Sequence, residues 1–250
     1  MNNSITGILL AAGMGTRLGD ITRNMPKSII PVGEHALIWY AIHFMRRLGV
    51  QRIIVVGGFE FEKLKSTVQD IDNEVDIYEN TEFQKGNIFT LKKALDNVSS
   101  GGFLLTHVDH IFRNGIVDKV KEQLGDEITL FTDTDRVLTN DDMKVKTDTD
   151  ETGKYFIEAS KQLTEFDCGY VGLTYCPEHH VDRYKLAVQE AIEKYGDKAV
   201  TEHAMQSIAQ NPPPRIRVGD MSGFKWLEID IPEEYERAKQ EIAENASLYT

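Results

Sequence analysis

Cysteine is nearly absent: Cys168 and Cys176 are the only two in 250 residues. Their spacing matches no CxxC metal or redox pattern, so a disulfide framework and a cysteine zinc site are both excluded. Two buried free thiols in a reducing cytoplasm are expected. Basic residues are also in deficit. Lys and Arg number 28 against 40 Asp and Glu, a formal net charge of -12. Nucleic-acid binding needs a basic face and is not expected. Long hydrophobic runs are missing too: none approaches the ~20 residues of a membrane span, so no membrane association is expected. Met1-Asn2-Asn3-Ser4 carries no positive n-region, and no signal peptide is read there. With 41% hydrophobic and 27% charged residues, the composition is that of an ordinary soluble globular protein. The length suits one domain over 1–250 with a substantial core.

What the chain does have is an apolar run that breaks into a glycine-rich turn, Ile8-Leu9-Leu10-Ala11-Ala12-Gly13-Met14-Gly15-Thr16-Arg17-Leu18, with Pro26-Lys27 beyond it. Gly13 and Gly15 let backbone approach phosphate oxygens with no Cβ in the way. Their N–H groups can point at the anion. Arg17 and Lys27 add the positive charge that neutral amides lack. Leu18 stands where a dinucleotide fingerprint wants its third glycine, and no Gly-Lys-Ser/Thr of a Walker A loop occurs.

Along the chain, apolar strands alternate with amphipathic helices. Strands are expected at 5–11, 52–56, 75–78, 103–108 and 128–131, with helices at 36–48, 61–69, 88–98 and 116–124. Such alternation implies a three-layer α/β/α fold with a mostly parallel, mixed central sheet. Ligands of such sheets sit at the carboxyl ends of the strands, where both the glycine loop and Asp109 fall. Segments 143–147 and 154–159 alternate as a β-hairpin extension. Their connection, 148–153, places Asp148, Asp150 and Gly153 as in a calcium loop, but Ala159 stands where the bidentate glutamate belongs, so a solvated turn is expected. A strand at 168–175 follows, then helices at 181–195 and 202–209. A closing hairpin of 215–218 with 224–229 precedes a final helix over 232–245, with Pro232 in its first turn.

Asp109, ending a central strand, can hold Mg2+ against triphosphate oxygens. His107 and His110 flank it and invite a transition-metal reading, for which no third ligand is identifiable. Asp230 lies in Trp226-Leu227-Glu228-Ile229-Asp230-Ile231-Pro232-Glu233-Glu234. It also suits the N-cap of the final helix. Asn87 suits the N-cap of the helix after it, and Lys161 reads as a solvated strand end.

Taken together, these motifs resemble the nucleotidyltransferase superfamily typified by sugar-phosphate nucleotidylyltransferases, over essentially the whole chain. The nearest group is the inositol-1-phosphate cytidylyltransferase type. The resemblance implies that Leu10, Ala11, Ala12, Gly13, Gly15 and Thr16 wrap a nucleoside triphosphate, CTP in first place. Ala11 and Ala12 leave room for its base. Arg17 and Lys27 take the triphosphate and the departing pyrophosphate. The Asn87 stretch, Gly86-Asn87-Ile88-Phe89-Thr90-Leu91, lies beside base and ribose. Asp109 and Asp230 hold Mg2+, although Val108 occupies a small-residue position and Ile231 replaces the usual threonine. Lys161 faces the acceptor phosphate and Gly169 lets the acceptor in close. The implied reaction transfers CMP to a phosphorylated alcohol or polyol and releases pyrophosphate. UTP, dTTP or GTP with a sugar 1-phosphate stays open, as does a phosphocholine or aminoalkylphosphonate acceptor caged by Tyr170 and Trp226. A non-catalytic nucleotide-binding regulator would have lost Lys27 or the aspartates. A Rossmann dehydrogenase would carry an acid where Val56-Gly57-Gly58 stands. Oligomeric state, including a homodimer, is left open.

Overall fold

The computed structural model describes residues 4–250. Its first strand, β1 (Ile5–Ala11), lies inside the sheet, and its side chains alternate between two cores. Ile8 and Leu10 face one core, Leu9 and Ala11 the other. That period of two is what a strand covered on both faces requires.

The short strands β2 (Pro31–Val32) and β3 (His35–Ala36) lead into α1 (Leu37–Arg47). Ile38, Ala41, Phe44 and Met45 form its buried stripe. The helix ends where Gly49, at φ 87°, takes the left-handed conformation. Gly49 N–H then bonds to the Arg46 carbonyl at 3.0 Å and Val50 N–H to that of Met45 at 3.1 Å. This double closure satisfies carbonyls that the helix end leaves bare. Next come β4 (Arg52–Gly57), α2 (Phe61–Ile71), β5 (Asp76–Glu79), α3 (Ile88–Leu95), β6 (Gly102–His107), β7 (His110–Phe112), α4 (Ile116–Lys121) and β8 (Ile128–Asp133). The hairpin β9 (Lys144–Asp150) and β10 (Gly153–Ser160) follows, then β11 (Cys168–Cys176), α5 (Val181–Tyr195), α6 (Thr201–Gln210), β12 (Ile216–Asp220), β13 (Trp226–Glu228) and α7 (Pro232–Asn245).

Nine strands form one mixed sheet in the order β5-β4-β1-β6-β11-β8-β12-β10-β9. The half from β5 to β6 is parallel, and β11 enters antiparallel to both β6 and β8. Helices α1, α2 and α4 cover one face and α3, α5 and α6 the other, giving three layers. The hairpin extension is present and its strands reach further than expected, leaving Glu151 and Thr152 at the turn. Among the described residues no helix is long and apolar enough to cross a membrane. Both cysteines are free and buried.

The expected closing hairpin does not form. β12 pairs parallel with β8, while β13 leaves the sheet to pair antiparallel with β7. The reason lies in the connection. Buried Met221 donates its N–H to the Thr132 carbonyl at 2.8 Å, which extends the β12–β8 ladder before Gly223, at φ 90°, turns the chain. A third core then forms, where Tyr235, Ala238 and Ile242 of α7 meet Leu18, Ile30 and Val32. It clamps the C-terminal helix against the segment that follows the glycine loop.

Candidate active site

The loop after β1 is held by its own chain. Gly15 sits at φ 69°, a left-handed conformation that disfavours a Cβ, and a Cβ there would lie 2.7 Å from the Cβ of Lys27. Thr22 donates its hydroxyl to the Gly15 carbonyl at 2.8 Å. A Cβ at Gly13 would meet nothing within 4 Å, so the backbone there faces open space. A cavity of about 310 Å³ opens beside it, walled by Leu10, Ala11, Ala12, Gly13, Gly15 and Thr16. Arg17, Lys27, Asn87, Asp109 and Asp230 complete the residues expected there.

Two long-range links set the charges. β7 and β13 pair with Glu228 opposite His110, and Ile229 N–H reaches the Asp109 carbonyl at 3.1 Å. This ladder brings Asp109 and Asp230 to one spot although 121 positions separate them. Asp230 does not cap α7. Ile231 is the N-cap, and Glu234 accepts the N–H groups of Asp230 at 2.7 Å and Ile231 at 3.3 Å. A carboxylate in the first turn satisfies N–H groups that the helix start leaves bare. The Asp230 carboxylate is thereby left for other partners.

Those partners are cations. Lys27 Nζ stands 2.8 Å from Asp109 Oδ2 and 2.5 Å from Asp230 Oδ1. Arg17 Nη2 lies 2.5 Å from Asp230 Oδ2. His110 Nδ1 lies 2.6 Å from Asp109 Oδ1. Burial works against the charge on Lys27, but the two carboxylates outweigh it and hold its pKa above the ordinary lysine value. Burial likewise pushes Asp109 up, and Lys27 and His110 more than reverse it, leaving the carboxyl well below its usual range. Both ions are therefore charged, as paired buried ions must be. Lys27 is the buried member, with 9% of its side chain exposed; Arg17, at 47%, lies at the open rim.

A second cavity of about 260 Å³ adjoins the first and shares Arg17, Asn87, His107, Asp109 and Asp230 with it. Lys161, exposed on the turn after β10, lines it. Tyr170 and Trp226 line it too, but Tyr170 gives its hydroxyl to a 2.9 Å hydrogen bond with Thr174. Trp226 holds the Arg136 guanidinium over its ring at 4.6 Å and stacks with His110 at 5.3 Å. Gly169 lies in β11 against Leu138 and lines neither cavity. The glycine that does line the second cavity is Gly172, at φ 71°, where a Cβ would lie 2.6 Å from the His110 ring.

Asn87 heads α3, but its side chain makes no cap bond there. Its Oδ1 accepts the Thr201 N–H at 3.0 Å and so caps α6 instead. Sequence reasoning missed Ser28, Phe83 and Lys85 in the first cavity, and Arg136, Asp142 and Glu202 in the second. None carries a local motif. Arg136 is set by its partners, Glu228 at 3.1 Å and Asp142 at 3.2 Å.

Carboxylates are hard oxygen ligands, and Mg2+ takes one or two of them with substrate phosphates and water completing the shell. Asp109 and Asp230 fit that share, both facing the first cavity. Among the described residues no group of three or more His, Cys, Asp or Glu is arranged around a metal position.

The chain is 25% identical to a bifunctional IPC transferase and DIPP synthase of Aquifex aeolicus over 248 residues, covering 96% of this chain and 52% of that one. It is 33% identical over 113 residues to a 2-aminoethylphosphonate cytidylyltransferase of Lancefieldella rimae, covering 42% of this chain and 46% of that one. The chain thus spans about half the length of the curated relatives it matches. Its fold matches a structure of the inositol-1-phosphate CTP transferase from T. maritima with a TM-score of 0.80, at 20% identity, over 98% of this chain and 99% of that one. Residues 7–139, which carry the glycine loop, Lys27, Asn87 and Asp109, match the MobA-like NTP transferase domain, and the chain belongs to that nucleotidyltransferase family.

Proposed function

We propose that this chain is a Mg2+-dependent cytidylyltransferase that moves CMP from CTP to a small phosphorylated alcohol, of which inositol 1-phosphate is the type, and releases pyrophosphate. One observation carries the reading: the Lys27 ammonium, buried at the floor of the glycine-lined cavity, stands between Asp109 and Asp230. The names of the relatives support CTP and inositol phosphate as first candidates.

An acceptor phosphate is already an anionic nucleophile, so no strong general base is required. Its oxygen bonds to the α-phosphorus while the bond from that phosphorus to the bridging oxygen of the β-phosphate breaks. Pyrophosphate leaves with the electron pair. Catalysis is then positioning and charge neutralisation. The open space above Gly13 admits the triphosphate to backbone N–H groups. Lys27 and Arg17 neutralise the triphosphate and the leaving pyrophosphate. Ala11 and Ala12 leave room for the base, with Asn87 beside it. Lys161 at the second cavity takes the acceptor phosphate. Asp109 and Asp230 would hold Mg2+, which when bound offsets phosphate charge. The glycine loop and Asp230, just ahead of α7, both build the site, so a single nucleotidyltransferase domain over 1–250 carries it. Its buried free thiols suit a reducing cytoplasm.

Pyrophosphate release, measured with CTP, UTP, dTTP and GTP against phospho-polyols, sugar 1-phosphates, phosphocholine and aminoethylphosphonate, tests the assignment. Fastest release with CTP and a phosphorylated alcohol is expected. Preference for another nucleotide with a sugar 1-phosphate corrects base and acceptor, and no release from any pairing rejects the enzyme.

A further inference from the structure

Glu202 is the second residue of α6 and is 8% exposed. It lines the second cavity. Among the described residues it has no hydrogen-bond or ion-pair partner, unlike the buried Asp142 and the half-buried Glu228 and Asp109 around that space. Asp142 is tied to Arg136 and to the Thr139 hydroxyl, Glu228 to Arg136, and Asp109 to Lys27 and His110. A buried carboxylate accepts hydrogen bonds and donates none, and leaving it unpaired is costly. Its position is built rather than incidental. Asn87 Oδ1 caps the preceding residue, Thr201, at 3.0 Å. Gly86 N–H bonds to the Asp197 carbonyl at 2.7 Å, and a Cβ on Gly86 would collide with the Ala199 carbonyl. The start of α6 is thus docked on the same Gly86-Asn87 segment that borders the first cavity.

We propose that Glu202 recognises the acceptor, taking a hydrogen bond from an O–H or N–H group on the part of the acceptor away from its phosphate. Asn87 is a positioning residue that sets Glu202 through the α6 terminus. The inference rests on the transferase reading and narrows its substrate class. Acceptors with a hydroxyl or primary ammonium head fit. A trimethylammonium head, which has no donor, could meet Glu202 by charge only and makes no such hydrogen bond. Trp226, already engaged by Arg136 and His110, offers such a head no free cage.

Steady-state kinetics with CTP test this on the full chain, using a phospho-polyol, an aminoalkyl phosphate or phosphonate, and phosphocholine as acceptors. The expected result is kcat/KM at least about tenfold higher for one of the donor-bearing acceptors than for phosphocholine; which one wins distinguishes hydroxyl from ammonium. Glu202→Gln should raise the acceptor KM about tenfold or more, with kcat and the KM for CTP within about threefold of wild type. Asn87 also borders the nucleotide cavity, so Asn87→Ala should raise the KM for both CTP and acceptor, whereas Glu202→Gln raises that of the acceptor alone. An unchanged acceptor KM in Glu202→Gln, or phosphocholine used as well as the donor-bearing acceptors, overturns the proposal while leaving nucleotidyl transfer intact. Should no acceptor support turnover, CTP binding by calorimetry together with acceptor binding to the CTP complex decides. Loss of CTP binding rejects the transferase reading. CTP binding with acceptor affinity equal in wild type and Glu202→Gln rejects this one.

Discussion

The ammonium of Lys27 lies 2.5 Å from a carboxylate oxygen of Asp230, a residue 203 positions further along the chain. Neither partner is free to drift. Lys27 packs its stem against Gly15, and Asp230 is fixed through the Glu234 bonds at the start of α7. Replacing Lys27 by Ala should lower kcat about 100- to 1000-fold, the range seen when one donor to developing negative charge is removed. The variant leaves two acids facing each other without their cation, so its fold should be checked by near-UV circular dichroism. A folded variant with near-normal pyrophosphate release would show that Lys27 is structural only.

Asp109 and Asp230 as metal ligands predict a chelator effect. Excess EDTA should stop pyrophosphate release, and added Mg2+ should restore it. Asp230→Asn should raise the Mg2+ concentration for half-maximal rate by at least about tenfold, the lower end of what metal sites lose even from supporting residues. An Asp230→Asn enzyme with an unchanged Mg2+ titration would remove Asp230 from the metal site.

Gly172 sits at φ 71° directly against the His110 ring. Gly172→Ala should cost about 1–2 kcal/mol from the left-handed backbone alone. For a chain of this size that is a Tm loss of roughly 2–8 °C. The ring displaced by the new methyl is the one that holds Asp109, so the rate should fall as well. A melting temperature equal to wild type in calorimetry would count against this strain.

The end of α7 is fastened by Glu241. It accepts from Arg113 at 2.6 Å, from the Tyr249 hydroxyl at 3.0 Å, and from Lys225. Burial pushes its carboxyl up, but Lys225, Arg113 and Tyr249 outweigh that and bring it down to about 2. A folded-state pKa below the unfolded one stabilises at pH values above the unfolded value and loses that contribution as pH falls toward 2. The Tm difference between wild type and Glu241→Gln should therefore be full at pH 7. It should shrink progressively below about pH 4.5, the ordinary carboxylate range. A difference independent of pH from 7 to 3 would assign the stabilisation to packing instead.

Where an expectation rested on local pattern, the structure follows it closely. β1, α1 as an amphipathic helix, and the hairpin of β9 and β10 each arise from side-chain period and turn chemistry among neighbouring residues. Where it rested on which strand finds which partner, local pattern was insufficient. The segments of β12 and β13 have the alternation of a hairpin, yet they pair with β8 and β7. Their partners are distant in sequence, and local alternation carries no information about which of them a strand meets.

Arg17, Lys27, Asp109 and Asp230 could each be named from the chain, because charged residues beside glycine turns or apolar strand ends are conspicuous. Glu202, Arg136 and Gly172 could not. Glu202 sits in an unremarkable helix start and gains meaning only when Asn87, far away in sequence, caps that helix. Asn87 itself reads as the cap of its own helix, and only packing shows that it caps another. Local order follows from the sequence alone, because backbone preference and burial period are properties of neighbouring residues. The meeting of a lysine with two distant aspartates, and the placing of one unpaired acid beside them, were decided by tertiary structure, because only the closed sheet and the docked α7 set those distances.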